Sequence, residues 1–301
     1  MADTLRKRRG GGRDPLSAPL LQDEFDDGPA AYEPLPEEGQ DGDGNEDSGL
    51  RGAGDDGLLA GIVHALLASW GYVLSSVANC LIGHGSPAGH APLSLRPDQE
   101  EQLEALRQRI ATPFDISCKE HQDALRHLWK LGYPSEPLSG LKSPQWKEMG
   151  WQGNDPSTDF RGAGYLALEN LINFAETHPA VFKDLMKKVN GQRSEWEYPF
   201  CVAGVNLTFT LIDILDLHAP GRLPNSAAGK HFLTTFEDYD AAFAEIYCVG
   251  MEVLDVAWLD MRASYMDFPA VMKSVKEKLS HAITHAQSLP MVRLMLLGDS
   301  R

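Results

Sequence analysis

Residues 146–179 read W-K-E-M-G-W-Q-G-N-D-P-S-T-D-F-R-G-A-G-Y-L-A-L-E-N-L-I-N-F-A-E-T-H-P. From Tyr165 to Glu176 the apolar residues Leu168, Leu171, Ile172 and Ala175 recur at helical spacing, the stripe of a helix with one face on a core. Pro179 starts a further helix through Val189, because its fixed φ and missing N–H suit a first turn, and Asn190-Gly191 ends it. Upstream, Ser143-Pro144 gives an N-cap and a first-turn proline to a short helix that Gly150 closes. The same signals continue outward. Asp98 to Ile110 reads as a polar helix opened by Pro97, and Ser117–Lys130 carries Leu125, Leu128 and Trp129 before Gly132 and Pro134 stop it. Residues 199–217 and 235–262 are long, mostly apolar helical segments, and 268–289 is the last helix. Neither hairpin-type alternation nor a β-α-β pattern competes, so the expectation is an all-α protein.

Charge divides the chain. The 301 residues hold 27 Lys+Arg against 43 Asp+Glu, a net of −16. Residues 1–57 carry 15 acidic and 6 basic side chains, so more than half of the net charge sits in less than a fifth of the length. That segment is rich in Gly, Pro, Asp and Glu and too poor in large apolar residues to offset its ordering entropy, and it is expected as a disordered acidic tail. Its cluster Arg6-Lys7-Arg8-Arg9 reads as a nuclear-import signal, an anionic-lipid contact or a solvated basic end. The acidic remainder argues against a nucleic-acid partner, which needs surplus Lys and Arg.

Residues 58–83 contain no Asp, Glu, Lys or Arg and are expected as one apolar helix. His64, Ser69, Ser75, Ser76 and Asn79 interrupt it, which leaves three readings open: packed on the main domain, in peripheral contact with a membrane through 58–82, or spanning the bilayer. Residues 84–114 then form a linker and the polar helix, 115–289 the multi-helix domain and 290–301 a C-terminal tail. No signal peptide is visible at the basic, Gly-rich start. Cys80, Cys118, Cys201 and Cys248 are too far apart for a zinc spacing or a disulfide framework, and reduced thiols in the cytoplasm are expected.

Motifs for self-contained catalysis are weak. The three G-x-G-x-x-[GA] matches, at Gly52, Gly83 and Gly162, follow no expected strand, and there is neither a P-loop nor a G-x-S-x-G. His281 and His285 stand one helical turn apart, as a metal pair or a solvated face. Asp213 and Asp216 are likewise one turn apart, facing a partner or capping a helix end. No cofactor and no metal is assigned.

The informative loop lies between the helices around 146 and 165. Gly153 and Pro156 fix its backbone, while Asn154, Asp155 and Asp159 can hydrogen-bond nearby main chain. It ends in Asp159-Phe160-Arg161-Gly162, where the helix dipole disfavours a cation. Arg161 therefore needs a compensating carboxylate, with Asp159 nearest in sequence, or an anion supplied from outside. As a bare residue pattern, a structural Arg161–Asp159 ion pair and a functional Arg161 are both open.

The run W-Q-G-N-D-P-S-T-D-F-R-G-A-G at 151–164 resembles the signature of the ELMO (engulfment and cell motility) domain. Tyr198-Pro199-Phe200-Cys201-Val202-Ala203-Gly204-Val205-Asn206-Leu207-Thr208 resembles that domain's second recurrent block, and the likeness covers roughly 115–285. The resemblance implies an all-helical domain acting on small GTPases. In the ELMO-domain-only branch it implies a GTPase-activating protein for Arf- and Arl-type GTPases, a regulator rather than an enzyme with its own substrate. Arg161 is there the residue required for activity. In the branch with added domains, it implies instead a non-catalytic module or scaffold binding a small GTPase or its exchange factor. An arginine inserted in trans stabilises charge building on the phosphates during GTP hydrolysis, worth on the order of 10³–10⁵ in rate. The planar, always-charged guanidinium suits that task. On this expectation Trp151 and Phe160 anchor the loop, Asp155 and Pro156 shape it, Asp159 orients Arg161, and Gly162 and Gly164 leave room for the GTPase.

Overall fold

The computed structural model describes residues 93–187 and 198–298. The acidic tail, the basic cluster at 6–9, the apolar segment at 58–83 and Cys80 lie outside the described residues, as do the motifs at Gly52 and Gly83.

Among the described residues nine α-helices follow one another: α1 Pro97–Ala111, α2 Lys119–Gly132, α3 Gly164–Thr177, α4 Pro179–Met186, α5 Phe200–Ile214, α6 Ala227–Thr235, α7 Tyr239–Asp260, α8 Phe268–His285 and α9 Leu289–Leu297. Short 3-10 turns at Pro144–Met149, Pro156–Thr158 and Tyr265–Asp267 complete the described elements, and no strand occurs among them. The protein is all-α. No helix among the described residues is long and apolar enough to cross a membrane.

Amphipathic periodicity decides which faces turn inward. α1 buries Leu103, Leu106 and Arg107, and its buried Gln99 gives its side-chain amide to the Leu233 carbonyl at 3.2 Å. α2 buries His121, Leu125, Leu128 and Trp129. α3 is the hub, packed on α1, α2, α4, α5 and α7. It buries Leu166, Ala167, Leu168, Asn170, Leu171, Phe174 and Ala175, more than one stripe, as a helix with neighbours on several sides must. α5 and α7 complete this centre. A Cβ on Gly204 of α5 would lie 2.5 Å from Tyr247 Oη on α7 and 2.7 Å from Leu171 Cδ2 on α3. A side chain there would force the three helices apart. The buried Asn170 amide donates to Thr208 Oγ1 at 3.0 Å, which pairs that donor inside the interface.

Four boundaries differ from expectation. α4 ends at Met186 instead of Val189, because Lys187 is already extended at ψ 119°. The long segment from 235 starts only at Tyr239, where the Asp238 carboxylate accepts from Ala241 N at 2.9 Å. Before it comes α6, which the sequence reading missed: its small and polar residues show little periodicity, but Ser226 caps it by accepting from Gly229 N at 2.9 Å. The last two elements also change. α8 stops at His285, and residues assigned to a C-terminal tail form α9, begun by Ser288 with Pro290 in its first turn. α9 packs on α7 and α8, burying Val292 and aiming Arg293 at the buried Glu252, 2.8 Å away.

The carboxylate and histidine pairs have internal explanations. Asp213 is ion-paired with Lys276 of α8. Asp216, in the left-handed region at φ 53°, pairs with Arg222 at 3.1 Å and accepts from Asn225 N at 2.6 Å. His281 and His285 are exposed with rings 4.4 Å apart, and among the described residues no third ligand group joins them.

Candidate functional site

The loop between the first 3-10 turn and α3 is built from the inside outward. Ser143 accepts from Gln145 N through its side chain and donates its own N–H to the Asn154 carbonyl at 2.8 Å, closing the loop's base. Gly150 follows at φ 78°, and a Cβ there would sit 2.2 Å from Phe200 N. Glycine is thus required twice, for the left-handed turn and for contact with the start of α5, where Val202 N donates to the Gly150 carbonyl at 3.3 Å.

An aromatic chain holds the loop to the core. Trp129 and Trp146 meet edge-on at 5.5 Å, Trp146 and Trp151 at 6.4 Å, Trp151 and Phe160 lie 5.1 Å apart, and Phe160 stacks on Phe114 at 4.4 Å. Trp151 and Phe160 do anchor the loop: each is 3% exposed. Pro156 is buried as well, beneath the 3-10 turn that Asp155 caps by accepting from Ser157 N at 3.1 Å. Burial alone would raise the Asp155 carboxyl, but Ser157 and the Lys142 ammonium 2.9 Å away outweigh it and hold it below its ordinary range.

Asp159 closes the loop from within. Its carboxylate is 5% exposed and turned inward, where Oδ2 accepts from Gln152 N at 3.2 Å. Burial pushes its pKa up to about 6, against the pull of that N–H and the Thr158 hydroxyl. Among the described residues no hydrogen bond or ion pair joins it to Arg161, although the Arg161 charge also acts to lower its pKa. The physical reason is the turn Arg161–Ala163, which sends the next side chain outward while Asp159 closes the loop from within.

Arg161 is exposed and makes no hydrogen bond or ion pair among the described residues. Its mount is stiff. Gly162 at φ 92° and Gly164 at φ 61° carry the chain into α3, and a Cβ on Gly164 would lie 2.4 Å from the Thr112 carbonyl oxygen. Gly164 is therefore explained by internal contact with the end of α1, not by room for a partner; Gly162 is exposed, and the Phe209 ring lies beside it. Gly164 N donates to the Phe160 carbonyl at 3.0 Å and Tyr165 N to Thr112 at 2.9 Å. With those amides committed, the exposed Arg161 guanidinium is a donor able to meet an anion.

Arg161 divides two concavities. One is a cleft of about 360 Å³ lined by Thr112, Pro113, Phe114, Ser157 and Gly162. The other is a smaller pocket lined by Gln152, Asp159, Asn206 and Phe209. Of the expected site residues, Arg161 and Gly162 face solvent, Asp155 and Gly164 are half-buried, and Trp151, Pro156 and Asp159 lie inside. Asn206 and Phe209 were missed as site residues. Their signal was the 198–208 block, which carries α5 past Arg161, but no spacing rule connects it to residue 161.

This arrangement defines an all-helical module that presents an exposed arginine, without hydrogen bond or ion pair among the described residues, between two hollows. The ELMO/CED-12 family model matches residues 104–272, more than half of the chain, and the protein belongs to that family. It is 36% identical over 210 residues to ELMO domain-containing protein A of Dictyostelium discoideum, covering 64% of this chain and 21% of that protein. ELMO domain-containing protein B of the same organism is 36% identical over 193 residues, 63% of this chain and 62% of the relative. Human ELMO domain-containing protein 2 is 30% identical over 183 residues, 59% and 57% of the two chains. The matched region thus spans less than two thirds of each of these relatives.

Proposed function

We propose that the protein is a GTPase-activating protein that supplies Arg161 in trans to a small GTPase of the Arf/Arl type, as a cytoplasmic regulator with no substrate of its own. The observation that carries this reading is the exposed Arg161 with no carboxylate partner among the described residues, at the positive end of α3. A cation left in that position is poorly placed for stability and well placed for an incoming phosphate. Freezing a long side chain costs entropy, and the mount reduces what docking must still order: the backbone on both sides is set by Gly162, Gly164 and the buried Phe160. On arrival the guanidinium bonds phosphate oxygens and offsets the charge that builds as the γ-phosphate leaves.

Single-turnover hydrolysis of GTP on Arf/Arl proteins tests this, with wild type against Arg161→Lys. Lysine keeps the charge but loses the planar fork, so the variant should fold normally and lose most of the acceleration. A wild type that binds the GTPase without speeding hydrolysis supports the non-catalytic module instead. A fully active lysine variant removes Arg161 from the chemistry.

A further inference from the structure

At the corner where α3 turns into α4, three donor side chains meet away from Arg161. His178 stands between the two helices, Glu245 and Cys248 lie one turn apart on α7, and their ligand atoms are all within 4.8 Å of one another. The hydrogen bonds around them decide what each presents. The Thr177 hydroxyl gives its proton to the Asn173 carbonyl at 2.6 Å, so its oxygen accepts from His178 Nδ1, 2.9 Å away. The ring proton is thereby placed on Nδ1 and the Nε2 lone pair is left open, the tautomer in which histidine binds metals with its other nitrogen tied down. Nε2 faces Glu245 Oε2 across 4.0 Å. Unless a proton on Nε2 makes this contact an ion pair, the two lone pairs repel until a metal ion lies between them. Their span exceeds a hydrogen bond of about 2.7–3.2 Å; two ligand atoms bound at about 2.0–2.2 Å around a tetrahedral ion stand about 3.4 Å apart, so the pair closes by about 0.6 Å around the ion. Asn173 Nδ2 completes the set by donating to Cys248 Sγ at 3.7 Å, the kind of contact that steadies a ligating sulfur.

We propose that His178 Nε2, the Glu245 carboxylate and Cys248 Sγ bind one divalent ion of the zinc class, with water as fourth ligand. A thiolate and an imidazole together favour a borderline-soft ion over magnesium or calcium, which take oxygen ligands. On binding, the sulfur–metal bond forms as the aqua ion gives up water and the Cys248 thiol, which burial pushes up to about 12, gives its proton to solvent. No oxidation is involved, and thiolate plus carboxylate balance the two positive charges. His178 and Glu245 are half-buried and Cys248 fully buried, so the ion enters at the histidine and reaches the sulfur beneath. It ties the α3–α4 corner to the middle of α7.

The full chain, stripped of metal with a chelator and kept reduced, is titrated with cobalt(II). A thiolate-to-cobalt charge-transfer band should grow to one equivalent and disappear when zinc(II) is added. His178→Gln and Glu245→Gln, at half-exposed positions, should each weaken cobalt binding at least about tenfold with unchanged circular dichroism; Thr177→Val should keep the band and also lose about tenfold. Cys248→Ala should abolish the band. Absence of the band in wild type, its persistence in Cys248→Ala, or unaltered affinity in the two glutamine variants overturns the site. Should Cys248→Ala fail to fold, the glutamine variants decide alone.

Discussion

Replacing Asp159 by Asn tests how the arginine loop is assembled. In the folded protein burial raises this carboxyl from its ordinary value of 3.8 to about 6. Below pH 4 the group is protonated both folded and unfolded, and burial carries no charge penalty. As pH rises through the window between 4 and 6, the unfolded chain ionises first and the folded chain resists, so the native state holds the extra proton. Stability therefore falls across that window and reaches a plateau above it. At about 1.4 kcal/mol per pH unit, the gap corresponds to about 3 kcal/mol. Asn cannot ionise, yet its amide oxygen can still accept from Gln152 N. Burying the new NH₂ group adds a cost of about 1–3 kcal/mol, and that cost is independent of pH. The decisive quantity is thus how the difference between variant and wild type changes with pH. Denaturant unfolding at intervals from pH 4 to pH 7.5 should show Asp159→Asn gaining about 2.5 kcal/mol relative to wild type, whatever the offset at pH 4. A flat difference, or a wild type that gains on the variant as pH rises, refutes the buried, inward-turned carboxylate and restores the Asp159–Arg161 pair.

Three further outcomes follow from the packing. Gly164→Ala combines a left-handed φ of 61° with a 2.4 Å approach to the Thr112 carbonyl oxygen; it should destabilise by at least about 2 kcal/mol in denaturant melts, and a neutral result would mean the α1–α3 contact is misplaced. Gly204→Ala drives a methyl to 2.5 Å from Tyr247 Oη in the α3–α5–α7 centre, costing about 1–3 kcal/mol as overpacking, visible as a lower thermal midpoint. Arg293→Met leaves Glu252 buried without the ion-pair partner 2.8 Å away, and should cost about 3 kcal/mol or more by chemical denaturation. Adding Glu252→Leu should recover part of that loss; if the single variant costs nothing, α9 is not seated on α7 as described.

The helices α1, α2, α3 and α5 were legible because each carries a stripe and a stop or start signal in one short window, such as Pro97, Gly132 or Leu168-Leu171-Ile172. α6 and α9 were not, since short helices gain their stability from neighbours rather than from periodicity. Residues Ser226 and Ser288 held the capping signal in both cases. At the site, Arg161 was readable from a loop rich in Gly, Pro and Asp that ends at a helix start. The burial of Asp159 was not, because two residues of separation say nothing of which side of a turn faces the core.

By itself the sequence determined the helical class and the family signature, for these depend on local order: spacing, caps and a continuous motif. Only the tertiary structure decided that Asp159 is buried, that Gly164 answers to Thr112, that Asn206 and Phe209 flank Arg161, and that His178 meets Glu245 and Cys248. Those relations join residues brought together by burial of apolar faces, and packing leaves no periodic mark along the chain.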